Sequence, residues 1–287
     1  MRPVVIDCNN LCHIAMHSMG DLSYRDMQTG VVFGFFLKLQ KIANDFKSTN
    51  FVMCWDSRRS IRQKVYPDYK RKRIEQRAEM TEEEKQKYMA MVRQVRELRT
   101  EILPRLGFRN NFLRPGYESD DLMAWLVMNN EKNWLMVSAD NDMYQCLDHC
   151  DIFNPQTKKA ITRLSFGKKY QISPRQWPMA KAIGGCDTDN VQGVQGVGDP
   201  KKETSMALKF LRGELKESGV VYKRIVDSTE VINRNLELVH LPYWDFKPLR
   251  KLRANKFDAG EFRVFFDDKH FRSFLRDMKK WEIFFKE

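Results

Sequence analysis

Acidic side chains stand just beyond three short apolar runs of this chain. Val4-Val5-Ile6 ends in Asp7, Phe51 to Trp55 ends in Asp56, and Trp134 to Val137 leads through Ser138-Ala139 to Asp140 and Asp142. Glu118, Asp120 and Asp121 form a fourth group, where a helix is expected to start beside a weaker strand over 108–113. Short apolar runs of this length read as buried strands. If those strands lie parallel, their carboxyl ends share one rim, which is where open α/β sheets bind ligands. Carboxylates crowded on one rim repel each other and resist ionisation unless a cation lies between them. Ligation by oxygen alone suits Mg²⁺, with Mn²⁺ as a substitute. Two such ions about 3.5–4 Å apart can activate a water and stabilise the leaving oxygen in phosphodiester cleavage. A plainer role for Glu118, Asp120 and Asp121 is electrostatic support of a helix N-terminus. For Asp121 alone the two roles weigh evenly.

The elements that must position these acids alternate in type. Val31 to Phe46 has the apolar stripe of a helix, and Thr81 to Leu103 reads as a charged amphipathic helix opened by a capping box at Thr81-Glu82-Glu83-Glu84. Helices are also expected over 119–129 and 174–183. Arg58 to Arg77 is basic without apolar periodicity and reads as a surface loop or mobile segment. Strands alternating with helices predict an α/β fold with a mainly parallel sheet over 1–170, followed by a mainly α-helical region over 171–287. Phe262, Phe265, Phe266, Phe271, Phe274 and Trp281 read as the core of a helical subdomain in that second region.

Composition narrows the class. The chain has 287 residues, 42% of them hydrophobic, which excludes wholesale disorder. Its net charge is +12, which favours a polyanionic partner. Apolar runs fall short of the roughly 18–20 residues a membrane span needs. The early charges at the N-terminus do not suit a secretory signal, so a reducing cytoplasm is expected for its six cysteines. Cys8 and Cys12 near His13 and His17, and Cys146 and Cys150 with His149, lack the matched spacing of a zinc site and read as buried small apolar residues.

Two further stretches suit a polyanion. Gly193-Val194-Gln195-Gly196-Val197-Gly198 lies between helical segments and resembles a helix–hairpin–helix over about 180–213. Its glycines would let backbone N–H groups approach a phosphate or a bridging cation. Lys201 and Lys202 follow where the next helix is expected to start. Contacts of this type read backbone rather than base sequence and are sensitive to salt. Tyr66-Pro67-Asp68-Tyr69-Lys70-Arg71-Lys72-Arg73 mixes aromatics with cations. Tyr66 and Tyr69 could stack on an unpaired base, and Lys70 and Arg73 could clamp a scissile phosphate. Arg93, Arg96 and Arg99 read as a solvated helix face.

Taken together, Asp7, Trp55-Asp56, Tyr69-Lys70 with Arg73, Glu118-Ser119-Asp120-Asp121, Ser138-Ala139-Asp140-Asn141-Asp142 and Gly185 to Gly198 resemble the 5′-nuclease superfamily. That family includes flap endonucleases, the 5′-nuclease domain of bacterial DNA polymerase I and the phage ribonuclease H/5′–3′ exonucleases. The resemblance covers about residues 4–210, with the motifs in the family's order. Chain length and Asn235-Leu236-Glu237-Leu238-Val239 suggest the phage branch, which would place the chain in a host cytoplasm. The resemblance implies a PIN-like, Rossmann-type core with a helical arch over about 66–105, and a helix–hairpin–helix domain after it.

It also implies roles. Asp7, Asp56, Glu118 and Asp120 would hold a first Mg²⁺, with Asp121 close by; Asp140 and Asp142 would stand between two ions; Asp189 and a partner would hold the second. Lys70, Arg73 and Asp140 would be central to cleavage, and Gly193, Gly196 and Gly198 would touch uncut duplex through a K⁺ ion. The implied substrate is branched or nicked duplex DNA with a 5′ single-stranded flap, or an RNA–DNA hybrid, cut by a monomer that works beside replication proteins. Two alternatives are a branched-DNA binder that does not cut and a PIN-type endoribonuclease; length and residues 184–213 argue against the second.

The chain departs from the family in two places. The family's G-D-x-x-D-N becomes Gly185-Cys186-Asp187-Thr188-Asp189-Asn190, with Cys186 in the place of the first acid. Either Asp187 supplies that carboxylate, as an i, i+2 pair with Asp189, or the second ion position is weakened. Gly198-Asp199-Pro200-Lys201 is also one residue longer than the usual G-x-K and sets an acid against the expected phosphate.

Overall fold

Five apolar runs become five parallel strands because both faces of the sheet they form are covered. They are β1 (Val4–Asp7), β2 (Phe51–Trp55), β3 (Asn111–Leu113), β4 (Trp134–Val137) and β5 (Cys150–Asn154). A sixth, β6 (Lys159–Ile161), runs antiparallel to β5 and closes that edge. The spatial order is β3-β2-β1-β4-β5-β6. The order reverses between β1 and β4, which is the switch point of a doubly wound sheet. The computed structural model describes residues 1–20, 22–24, 27–130 and 133–286.

Side chains alternate across the sheet. Val4, Ile6, Met53, Trp55, Leu135 and Val137 enter one core with α1 (Cys8–Met19) and α2 (Gly30–Phe46). Val5, Val52, Cys54, Trp134 and Met136 enter the opposite core. The first core holds a surprise. Phe262, Phe265, Phe266, Phe271, Phe274 and Trp281 do not form the separate helical subdomain expected from sequence; they pack in the same cluster as the strands. The Phe36 and Phe265 rings lie 5.1 Å apart, and Phe51 and Phe284 5.9 Å apart. The chain returns to the sheet along 240–258, where Asn255 Nδ2 donates to Phe51 O at 3.0 Å and Arg253 N donates to Asn110 Oδ1 at 2.8 Å.

The basic 58–77 stretch is not a loop. It contains the short turn of helix Arg62–Val65 and α3 (Arg71–Ala78). Periodicity missed α3 because none of its residues is buried; its Arg, Lys, Glu, Gln and Ala are strong helix formers that need no apolar face. Residues 79–81 lead into α4 (Glu82–Glu97), which opens with the expected capping box at Thr81 and Glu84. On the opposite face α5 (Ser119–Met128) starts at the carboxyl rim of the sheet.

Beyond β6, α6 (Trp177–Gly184) packs against α7 (Thr229–Val239), and Asn235 Nδ2 pins them by donating to Ala182 O at 2.9 Å. After α6 a small hairpin pairs Gly185–Cys186 with Val191–Gln192. The next helix starts at Met206, not at Lys201 as expected. Asp199 turns the chain by accepting from Lys201 N at 2.9 Å, and Ser205 caps the helix instead. Among the described residues no helix is long and apolar enough to cross a membrane.

Candidate active site

The parallel sheet delivers Asp7 and Asp56 to one rim from neighbouring strands, with Asp140 from beyond β4. Asp7 caps α1, accepting from Asn10 N at 3.0 Å. Ser119 at the start of α5 donates through Oγ to both Asp56 Oδ1 (2.9 Å) and Asp7 Oδ1 (3.3 Å), tying the two strand ends to the helix. Ser138 Oγ donates to Asp7 Oδ2 at 3.4 Å. Asp140 accepts from Asp142 N at 2.8 Å and so aims at the same space.

Crowding and burial set the charge state. Burial, with Asp56 and Asp140 nearby, pushes Asp7 up to about 7. Burial and Asp142 push Asp140 up to about 6. Burial, then Asp140, Asp7 and Asp56, drive Asp120 well above the carboxylate range, and its buried Oδ1 has no hydrogen-bond partner among the described residues. An orphaned buried oxygen among mutually repelling carboxyls is a set of hard donors short of a cation, so Asp7, Asp56, Asp120 and Asp140 fit a hard divalent ion.

Cations frame this group. Lys70 Nζ lies 2.7 Å from Glu118 Oε2, and Tyr69 Oη donates to the same oxygen at 3.2 Å. Burial alone would raise Glu118, but Lys70, Arg62 and Tyr69 outweigh it and hold the carboxyl at about 2. Arg73 Nη2 donates to Asp189 Oδ1 at 2.7 Å. Two backbone donors fix the segment that carries them: Lys70 N donates to Asp189 O at 2.9 Å, and Lys72 N to Asn190 Oδ1 at 3.1 Å. The start of α3 is therefore docked on the 187–190 turn.

Several expected roles do not survive. Asp121 is buried and bidentate with Arg62, both distances 2.8 Å, and also accepts from Tyr243 N; its oxygens are committed, so it is a structural anchor rather than a metal ligand. Asp187 is exposed, and the hairpin turns Cys186 inward instead. The Cys186 thiol, with one oxygen each of Asp142 and Asp189, forms a group whose atoms lie within 4.8 Å of one another. Tyr69 is buried, so its ring cannot stack on a base, and Tyr66 is half-buried with Arg234 over its ring at 4.8 Å. Gly193 lies against Gly184 and Gly185, where a Cβ would collide with backbone at 2.3 Å; it serves packing. Gly196, Gly198 and Lys202 are not among these losses, since all three are exposed, while Lys201 faces Asp199 at 3.9 Å.

Lys181 was not found from sequence. It is buried on α6 with Nζ 2.7 Å from Asp142 Oδ1. Its signal was a lone cation inside the apolar run Trp177 to Ile183. Ser119 and Arg62 were missed for a different reason, since both act through partners distant in sequence. Cys8, Cys12, Cys146 and Cys150 are free and buried, as expected, and so are Cys54 and Cys186.

A family model for the 5′-3′ exonuclease, N-terminal resolvase-like domain, matches residues 2–171. The chain belongs to this exonuclease family. Similar proteins include DNA polymerase I of Mycobacterium bovis, 27% identical over 297 residues, covering 96% of this chain and 31% of that protein. A 5′-3′ exonuclease of Aquifex aeolicus is 24% identical over 212 residues, covering 72% of this chain and 68% of that one. The chain thus spans about a third of the length of the polymerases it matches. Among solved structures, the bacteriophage T5 flap endonuclease in a complex with DNA and metal ions superposes with a TM-score of 0.70 at 20% identity, over 99% of both chains. At that identity the likeness is one of fold, and the exonuclease fold accounts for the rim on which the acids meet.

Proposed function

We propose that the chain is a metal-dependent, structure-specific 5′ nuclease that hydrolyses phosphodiesters near the 5′ ends of branched or nicked duplex DNA. One observation carries this reading: carboxylates from four separated chain segments converge on the switch-point rim, framed by Lys70 and Arg73. Membership of the exonuclease family supports it. Asp7, Asp56, Asp120 and Asp140, with Glu118 beside them, would hold Mg²⁺, or Mn²⁺ in its place. A bound divalent cation supplies an activated water and positive charge for the leaving oxygen.

The chain's own groups do the rest. Lys70 and Arg73 each already hold a carboxylate at 2.7 Å, so both can exchange that partner for an oxygen of the scissile phosphate. Ser119 and Ser138 hold the Asp7 carboxylate at a fixed angle. Helix α3 starts where residues 70–72 dock on the 187–190 turn, and α4 follows it, so a single strand reaching the rim would pass beside this segment. The exposed Gly196, Gly198 and Lys202 suit the uncut duplex, where contacts to phosphate, direct or through K⁺, carry no base preference. RNA-primed ends present the same scissile phosphate, and replication proteins are the expected company.

Asp140→Asn should abolish cleavage of a 5′-labelled flap duplex in Mg²⁺ while leaving DNA affinity near wild type. Equal loss of cutting and binding would contradict the assignment. Cys186 favours one competing reading, a branched-DNA binder that does not cut; turnover by the wild-type chain on the same flap would dispose of it.

A further inference from the structure

Two groups of potential ligands meet at the rim, and they differ chemically. The Asp7–Asp56–Asp120–Asp140 group offers oxygen only. The second group is Asp142, Cys186 and Asp189, with donor atoms within 4.8 Å of one another. Cys186 is 5% exposed and Asp189 7%, so the hairpin has built the thiol into the site rather than left it on the surface.

The charges of the second group are already balanced. Asp142 Oδ1 is 2.7 Å from the Lys181 ammonium, and Asp189 Oδ1 is 2.7 Å from the Arg73 guanidinium and 4.0 Å from Lys70. Mg²⁺ gains its hold from uncompensated oxygen charge and sheds water reluctantly. Here Asp142 and Asp189 each already hold a cation at 2.7 Å, while Lys70 is held more closely by Glu118; any divalent ion must displace those partners, and oxygen ligation alone leaves Mg²⁺ little to gain. A thiolate changes the preference, because sulfur is a poor ligand for Mg²⁺ and a strong one for Zn²⁺. Cys and Asp donors with one open position also match the tetrahedral coordination of zinc.

We propose that Asp142, Cys186 and Asp189 form a thiophilic cation site that selects Zn²⁺ over Mg²⁺, so that the two positions on the rim take different ions. This rests on the proposed nuclease reading, which supplies the first position. Occupation forms a sulfur–metal bond and releases the thiol proton to solvent. The supply of zinc, rather than of magnesium, then sets how often the second position is filled.

Co²⁺ reports on this directly, since thiolate ligation gives a near-ultraviolet charge-transfer band. The full chain, stripped with chelator, should develop that band on Co²⁺ titration, saturating at one per chain. Zn²⁺ should abolish it, and a large excess of Mg²⁺ should not. Cys186→Ser and Cys186→Ala should each lose the band and bind Zn²⁺ at least about tenfold more weakly by calorimetry, a loss seen even for groups that only support a ligand. Mn²⁺ binding at the oxygen-only group should persist in both variants, which also shows that they fold. Wild type that binds Mn²⁺ without a cobalt band overturns the inference and leaves the nuclease reading standing. A band that survives both substitutions assigns the thiolate to another cysteine and overturns it too. Failure to bind any of these ions overturns both.

Discussion

Asp7 is buried beside Asp56 and Asp140, and its carboxyl is raised from 3.8 to about 7. A carboxyl with a higher pKa folded than unfolded holds extra protons in the native state. Without metal its neutral form is tolerated below pH 3.8, and the cost of its charge grows until the pH passes about 7. Asp7→Asn should therefore match wild type near pH 4 and exceed it by on the order of 1–3 kcal/mol at pH 8 in chelator, read by urea denaturation. Saturating Mg²⁺ should shrink that gap by favouring the wild-type carboxylate. Glu118 has the opposite sign: held at about 2, it stabilises above its ordinary 4.5 and loses that contribution as pH falls through 2. Asp121 belongs to a different economy. Its pair with Arg62 is buried on both sides, so Asp121→Asn strands a guanidinium and should cost about 3–5 kcal/mol. Mn²⁺ affinity should stay near wild type, and a large drop would return Asp121 to the ligand set.

Elements here are held by polar pins as much as by apolar faces. The N-terminus of α2 receives no side-chain cap from Thr29. Gln94 on α4 does that work across space, its Oε1 accepting from Val31 N at 3.0 Å and Val32 N at 3.2 Å. Gln94→Ala leaves two buried donors short and should destabilise the fold by about 1–3 kcal/mol. Hydrogen exchange at Val31 and Val32 should accelerate more than exchange in β1; uniform acceleration would mean the pin is not local. The same logic explains α3. Its residues touch no core, and its direction comes from Lys70 and Lys72 docking on the 187–190 turn, which also presents Asp189. Helix α3 and the 187–190 turn are thus one mechanical unit.

Across the whole molecule, the C-terminal aromatics close the core that the first strands open. Phe262 is fully buried beside Phe266, Trp281 and Phe284 in the cluster that also holds Ile6 and Phe51. Phe262→Ala should cost about 3–5 kcal/mol and shift one cooperative transition seen alike by near- and far-ultraviolet dichroism. Two separate transitions would restore the helical subdomain with its own core that the sequence pattern suggested. A net charge of +12 is likewise a property of the whole chain, and it makes any grip on a polyanion weaken with salt.

Local chemistry was legible from the residues alone. Apolar runs ending in acids gave β1, β2 and β4 and placed Asp7, Asp56 and Asp140 on one rim, because strand burial and strand ends are written in short segments. The capping box at Thr81 is local too. What needed the tertiary structure was every choice between partners distant in sequence. Asp120 and Asp121 are adjacent acids, yet one is left unsatisfied at the rim while Arg62, 59 residues away, claims the other. Cys186 and Asp187 are adjacent as well, and the hairpin register turns the thiol inward and the carboxylate outward. Lys181 becomes part of the site only because α6 packs under Asp142. Spacing fixes which groups are available; packing, through burial and the nearest opposite charge, decides which of them remain free to act.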